Sequence, residues 1–158
     1  MLSIYRLSHL LWRLGVPVLP YLLKALNRIL FAVVLPPSTR VGKGVVFSYH
    51  GLGTVVHKRA VLEDDVIVGT GVTIGGRSGH ETVPTIGAGA MIGSGAKVLG
   101  PIRVGRGASI GANAVVLSDV PDYAVVVGIP ARVVRIQDSN EVVDYKTFSE
   151  ARRDADLQ

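Results

Sequence analysis

Four histidines and no cysteine set the chemistry open to this 158-residue chain. A neutral imidazole, with an ordinary pKa near about 6.5, can take and return a proton at neutral pH and so suits general acid–base work. His50 is the best placed of the four, in Tyr49-His50-Gly51-Leu52-Gly53-Thr54, just ahead of a long regular repeat. For an arbitrary histidine, a turn residue satisfied by backbone groups is the commoner explanation, and only context raises His50 above it. His50, His57 and His80 together supply the number of imidazoles found in some zinc sites, yet no ligand motif links them. The absence of cysteine excludes disulfides, thiolate nucleophiles and Cys-ligated zinc. No Gly-x-Ser-x-Gly elbow offers an activated serine either. A second pattern is made of small side chains, since Gly76, Ser94 and Ala112 follow one another at intervals of eighteen.

The elements that must position these residues have a period of six. From Val56 every sixth residue is Val56, Leu62, Val68, Ile74, His80, Ile86, Ile92, Val98, Val104, Ile110 and Val116, and all but His80 are aliphatic. Glycine follows many of them, and alanine often stands four places on, as at Ala60, Ala90, Ala96, Ala108 and Ala114. No helix or hairpin has this phase, whereas a parallel β-helix does, each hexapeptide giving one short face and its turn. With three faces to a coil, residues eighteen apart stack, so Val56, Ile74, Ile92 and Ile110 are expected to form one interior column. Gly76, Ser94 and Ala112 then form an exterior one. His80 lies in a polar stretch rich in turn formers, Gly76 to Pro84, where a protruding loop is expected to replace a face. The Gly-x-Gly pairs recur with the repeat and open no helix, so they are not dinucleotide fingerprints.

The flanks differ from the repeat. Residues 1 to 60 hold eight Lys or Arg and no Asp or Glu, out of a net charge of +5. Such a bias suits an anionic membrane surface, phosphate-bearing ligands or nucleic acid, and no recognition motif favours nucleic acid. Two short helices are expected, with polar stripes at Arg6, His9 and Arg13 and at Tyr21, Lys24 and Arg28, ended by Pro36 and Pro37. Their apolar surfaces must cover the solenoid end, a neighbouring subunit or the acyl boundary of a membrane, with packing the ordinary outcome. Residues 1–35 therefore carry the expectation of peripheral membrane contact as the alternative to burial. Charges and prolines interrupt this segment, which argues against a simple transmembrane helix or a secretory signal. A cytoplasmic protein, peripheral at the inner face of the membrane if anything, is expected. The division is 1–37 helical, 38–135 β-helix and 136–158 a charged tail.

Ile74-Gly75-Gly76, the run Ile86 to Gly100, and Val127-Gly128-Ile129-Pro130-Ala131-Arg132 resemble bacterial serine acetyltransferases and the related O-acetyltransferases of exopolysaccharide synthesis. The resemblance, over about residues 40 to 135, implies a left-handed parallel β-helix, generally assembled as a homotrimer. It implies acetyl-CoA as acyl donor, with no metal. It puts the catalytic base on His50, and it puts CoA contacts on Gly76, Ser94 and Ala112, with Arg132 a candidate for the phosphates. It also implies direct transfer, the backbone N–H of Gly76 meeting the developing oxyanion. Two positions depart from the serine enzymes: Tyr49 stands where they have Asp before the histidine, and Thr82-Val83 stand where they have an Arg-His pair before the proline. The clamp for an amino acid is missing there, so a sugar hydroxyl in glycan or polysaccharide biosynthesis is the expected acceptor, with serine as the alternative. A zinc enzyme like the β-helical carbonic anhydrases, using His50, His57 and His80, is the alternative of another class.

Overall fold

The computed structural model describes residues 1–138 and turns the six-residue rhythm into a mainly β parallel solenoid preceded by two helices. In chain order the strands are β1 Arg40–Val41, β2 Val46–Phe47, β3 Val55–Val56, β4 Val61–Leu62, β5 Ile67–Val68, β6 Thr73–Gly75 and β7 Thr85–Ile86. They continue as β8 Met91–Ile92, β9 Lys97–Leu99, β10 Arg103–Val104, β11 Ser109–Ile110, β12 Val115–Val116, β13 Ala124–Val127 and β14 Arg132–Ile136. Successive strands go to successive faces: β1, β4, β7 and β10 stack as the first, β2, β5, β8, β11, β13 and β14 as the second, and β3, β6, β9 and β12 as the third. Only β14 runs antiparallel, folding back on β13. The part of the expected tail beyond residue 138 lies outside the described residues.

Most of the short strands point one side chain out and the next one in, as the two-residue pleat requires, while both residues of β5 are buried and all of β14 is exposed. Val56, Ile74, Val98 and Val116 are at most 2% exposed, and burying a side chain of this size contributes about 1.5–3 kcal/mol. The alanines of the repeat, Ala60, Ala90, Ala96, Ala108 and Ala114, are fully buried at the corners, where the chain turns between faces.

The columns differ from uniform eighteen-residue stacking. Ile74 pairs with Val98, while Ile92 pairs with Val68 and Ile110. The third-face column is therefore Val56, Ile74, Val98 and Val116, and the expected column Val56, Ile74, Ile92, Ile110 mixes two faces. The cause is the loop 76–84. It replaces no face, because β7 takes up the first face immediately after it. It inserts one hexapeptide, so that Thr73 to Lys97 is a step of 24 residues while Lys97 to Val115 is 18. His80 is exposed within it instead of pointing inward. A smaller insertion, the 3-10 turn Ser48–Gly51, lengthens the step from Val46 to Ile67 to 21.

Two helices precede the coils, α1 Leu2–Arg13 and α2 Leu19–Phe31. The second stops well before Pro36, because Ala32 takes a left-handed conformation with φ 52° and its N–H closes on the Arg28 carbonyl. The chain is extended from there, with Val33 and Leu35 buried and Val34 bridged to Val55. The first helix docks on the start of the solenoid. The Tyr5 hydroxyl, buried, donates to the Thr39 carbonyl at 2.6 Å, and burial pushes its phenol up to about 12. Arg6 donates to the carbonyls of Val41 and Gly42, and His9 Nδ1 lies 2.6 Å from the Pro37 carbonyl.

Coils lie so close at some corners that only glycine fits. A Cβ on Gly93 would stand 2.6 Å from the backbone nitrogen of Ala112 in the next coil, whereas one on Gly76 would meet nothing nearer than 3.6 Å. Gly93→Ala is therefore expected to lose about 1–3 kcal/mol of stability through overpacking, and Gly76→Ala to stay within about 0.5 kcal/mol of the parent. Urea unfolding of the two variants measures both, and equal losses would show that the coil contact at Gly93 is not the limit on that corner.

Candidate functional site

His50 is presented by a strained turn. It sits in the 3-10 segment between β2 and β3, where both Tyr49 (φ 49°, ψ 43°) and His50 (φ 58°, ψ 21°) are left-handed. Residues with a Cβ avoid this region. Two in succession cost of order 1–3 kcal/mol each and persist only where the surroundings fix them. Those surroundings are visible: Gly51 is buried at φ 76°, where a Cβ would press on Val33 and Phe47 at 3.2 and 3.3 Å, and the Leu52 carbonyl accepts from Gly71 N–H at 2.8 Å. The imidazole is exposed on one side and lies against Phe31 on the other, ring centroids 5.3 Å apart. Among the described residues no side chain hydrogen-bonds this ring, so an aromatic contact from the end of α2, and no carboxylate, sets its orientation.

The turn lies on the edge where the second face passes to the third, here called the histidine edge. Below it along the same edge come the corners Gly69-Thr70-Gly71, Gly93-Ser94-Gly95 and Gly111-Ala112-Asn113, each joining a second-face strand to a third-face strand. Ser94 and Ala112 thus share a column, as expected, and both are exposed. Gly76 does not belong to it. It directly follows β6, at the opposite end of the third face, the loop edge, where Gly100 is its counterpart and the Gly75 carbonyl accepts from Gly100 N–H at 3.0 Å. The residue that stands above Ser94 is Thr70, its Oγ1 donating to Ser94 Oγ at 3.3 Å. Thr70 was legible: Gly69-Thr70-Gly71 repeats the pattern of Gly93-Ser94-Gly95 at an interval of 24, which matches once the extra hexapeptide is counted. Phe31 had no such signal, because its contact with His50 joins a helix to a turn far along the chain.

The loop edge gathers different groups. Arg77, His80 and Glu81 are exposed on the loop, and Arg59 donates from Nη2 to the Glu81 carbonyl. His57, one corner above, accepts the Arg59 N–H at Nδ1 over 3.2 Å, so its neutral ring carries hydrogen on Nε2. Burial, then the neighbouring Arg59 and Lys58, lower its pKa. His57 and His80 lie on this edge and His50 on the other, so one chain does not bring the three histidines together. Among the described residues no group of three or more potential ligands is assembled. Arg132 is on the last strand, paired with Val127, and Val127 covers Gly111 beside Ala112. It is exposed and borders a cavity of about 540 Å³ with Ser118 and Asp119 at the final coil.

Comparison with known proteins agrees with this geometry. Residues 84–118 match the family described as bacterial transferase hexapeptide (six repeats). The chain is 42% identical over 132 residues to a serine acetyltransferase of Synechococcus elongatus, covering 82% of this chain and 54% of that protein. To a serine acetyltransferase of Escherichia coli K12 it is 43% identical over 142 residues, covering 89% and 52%. The crystal structure of the serine acetyltransferase of Brucella abortus in complex with coenzyme A superposes with a TM-score of 0.83 at 37% identity, covering 87% of this chain and 55% of that one. The chain spans about half the length of the relatives it matches, and the matched part reaches beyond the repeat region.

Proposed function

We propose that this chain moves an acetyl group from acetyl-CoA to a hydroxyl, with His50 as the base. The observation that carries this reading is the left-handed Tyr49-His50 turn, held out on the same edge as the small side chains of Ser94 and Ala112. Strain of this kind is retained where a side chain must be aimed, and the exposed column below offers an extended thiol-bearing arm close approach to backbone. Likeness to a structure in complex with coenzyme A supports that choice of donor.

In the proposed step His50 removes the acceptor's hydroxyl proton as the oxygen attacks the thioester carbonyl. The tetrahedral oxyanion is met by a backbone N–H. Collapse expels the CoA thiolate, which takes the proton back from the imidazolium, leaving an acetyl ester and CoA-SH. Gly76 is assigned the oxyanion donor by resemblance, yet it stands at the far end of the third face from His50. The pair meets only if a second copy sets its loop edge against this histidine edge, and we take the assembly to be a homotrimer with sites shared between neighbours. Arg132, one strand from the Ala112 corner, is the proposed partner of the CoA phosphates.

Serine is the acceptor we infer, because the relatives at 42 and 43% identity are serine acetyltransferases. The sugar acceptor expected from the sequence has no counterpart among these relatives. It is kept as a second reading on one specific observation: Tyr49 and Thr82-Val83 stand where an acid and an Arg-His pair would clamp an amino acid. CoA release measured with serine, nucleotide sugars and oligosaccharides separates the two, and turnover on sugars alone would replace the serine reading.

Two substitutions test the chemistry. His50→Ala is expected to lower kcat by about two to four orders of magnitude, the usual worth of a positioned general base, with the circular-dichroism spectrum unchanged; near-normal turnover would remove His50 from the mechanism. Ala112→Trp is expected to raise the KM for acetyl-CoA by about tenfold or more, since the ring would stand where the arm must lie. A folded Ala112→Trp protein with unchanged KM would place the donor elsewhere.

A further inference from the structure

The two helices turn much of their apolar surface outward, although Tyr5 is buried and Leu2 and Phe31 pack against the core. Their mutual contact buries Ser8, Pro20 and Asn27, with Ser8 Oγ donating to the Pro20 carbonyl at 2.7 Å. Asn27 Oδ1 is buried with no hydrogen-bond partner. The large apolar residues point the other way: Leu14 is 69% exposed, Val18 65%, Leu22 58%, Ile29 80% and Leu30 58%. An amphipathic helix ordinarily turns these residues inward, and an apolar surface of this extent marks a contact still to be made.

The charges beside it say with what. The ends of the helices and the first coils enclose a cleft of about 1040 Å³ in which Arg13, Arg40, Lys58 and Arg59 converge beside Trp12 and Tyr21. Among the described residues none of these four cations has a carboxylate partner within salt-bridge distance. No Asp or Glu precedes Glu63 in the chain, and Glu63 itself is engaged, with Arg103 and with the Ala88 N–H. A second copy laid on this face would oppose positive charge with positive charge, which disfavours self-association through it. An anionic lipid leaflet answers both features: acyl chains cover the leucines, phosphate headgroups enter the cleft, and Trp and Tyr suit the boundary between them.

We propose that α1 and α2 dock this protein peripherally on anionic membranes, with the Arg13–Arg40–Lys58–Arg59 cleft as a headgroup phosphate site. No described helix is long and apolar enough to cross a bilayer, so the hairpin lies on the surface. The proposal does not rest on the acetyl-transfer reading.

Vesicle flotation tests it with the full chain. On phosphatidylcholine vesicles containing phosphatidylglycerol at low salt, binding is expected to be at least about tenfold tighter than on phosphatidylcholine alone, and to weaken sharply near 0.5 M salt, roughly, where the Debye length falls to a few ångströms. Replacing the four cations by Gln should remove the preference for anionic vesicles. Leu22→Asp with Ile29→Asp should abolish binding to both, and these positions already face water, so folding is expected to survive. Failure of the parent to float with anionic vesicles at low salt overturns the proposal. So would equal binding to neutral vesicles, occupation of the cleft by inorganic pyrophosphate without vesicle binding, or sedimentation showing that the Leu22/Ile29 pair holds an oligomer together.

Discussion

Backbone laid on backbone is the contact on which the rest of this molecule depends. At the corners of the solenoid one coil rests on the next so closely that a Cβ on Gly69 would lie 2.5 Å from the Ser94 nitrogen, and one on Gly93 2.6 Å from the Ala112 nitrogen. Glycine at these positions lets strands of two or three residues pair in parallel, strands too short to be stable alone. The stacked aliphatics then close a core in which Tyr5 and Phe47 are the large rings. The same constraint makes the exterior regular, since corners that must be small on the inside of the stack present a line of small residues outside it.

Much of this was legible because a six-residue period has one structural meaning. The inward aliphatics, the buried alanines and the loop at Gly76 to Pro84 could all be read from spacing. The assignment of columns could not, because it assumed that the loop stood in place of a face. The pairings of Leu62 with Ile86, Val68 with Ile92 and Ile74 with Val98 show the loop as an insertion, and a sequence does not tell an added hexapeptide from a substituted one when both preserve the phase of six. Gly76 was therefore grouped with Ser94 and Ala112 on arithmetic that holds only within uninterrupted coils. His50 was found by context and resemblance, but its left-handed backbone and its contact with Phe31 belong to the three-dimensional turn. The helices were recognised as amphipathic, yet which side each would bury is decided by Tyr5, Ser8 and Asn27 meeting their partners, which periodicity does not reveal.

The inserted hexapeptide has a consequence for chemistry. His50, Thr70, Ser94 and Ala112 lie on one edge, and the loop with the extra hexapeptide sets Arg77 and His80 beside Gly76 on the other, with the width of the third face between. A single chain therefore places the proposed base and the proposed column for a cofactor arm on one side, and a loop with polar groups on the other. Parallel packing of identical solenoids about a common axis brings unlike edges together, so the arrangement is suited to a site divided between neighbours.

Subunit mixing tests this division directly. One variant carries His50→Ala, and the other Gly76→Pro, which removes the backbone N–H proposed to meet the oxyanion. Each alone is expected to be inactive. If sites are shared, random reassembly of equal amounts produces sites with an intact histidine from one chain and an intact Gly76 N–H from its neighbour, and about a quarter of the parental activity returns. If each chain holds a whole site, no mixture contains a complete one, and the absence of recovered activity in verified mixed oligomers would contradict the account.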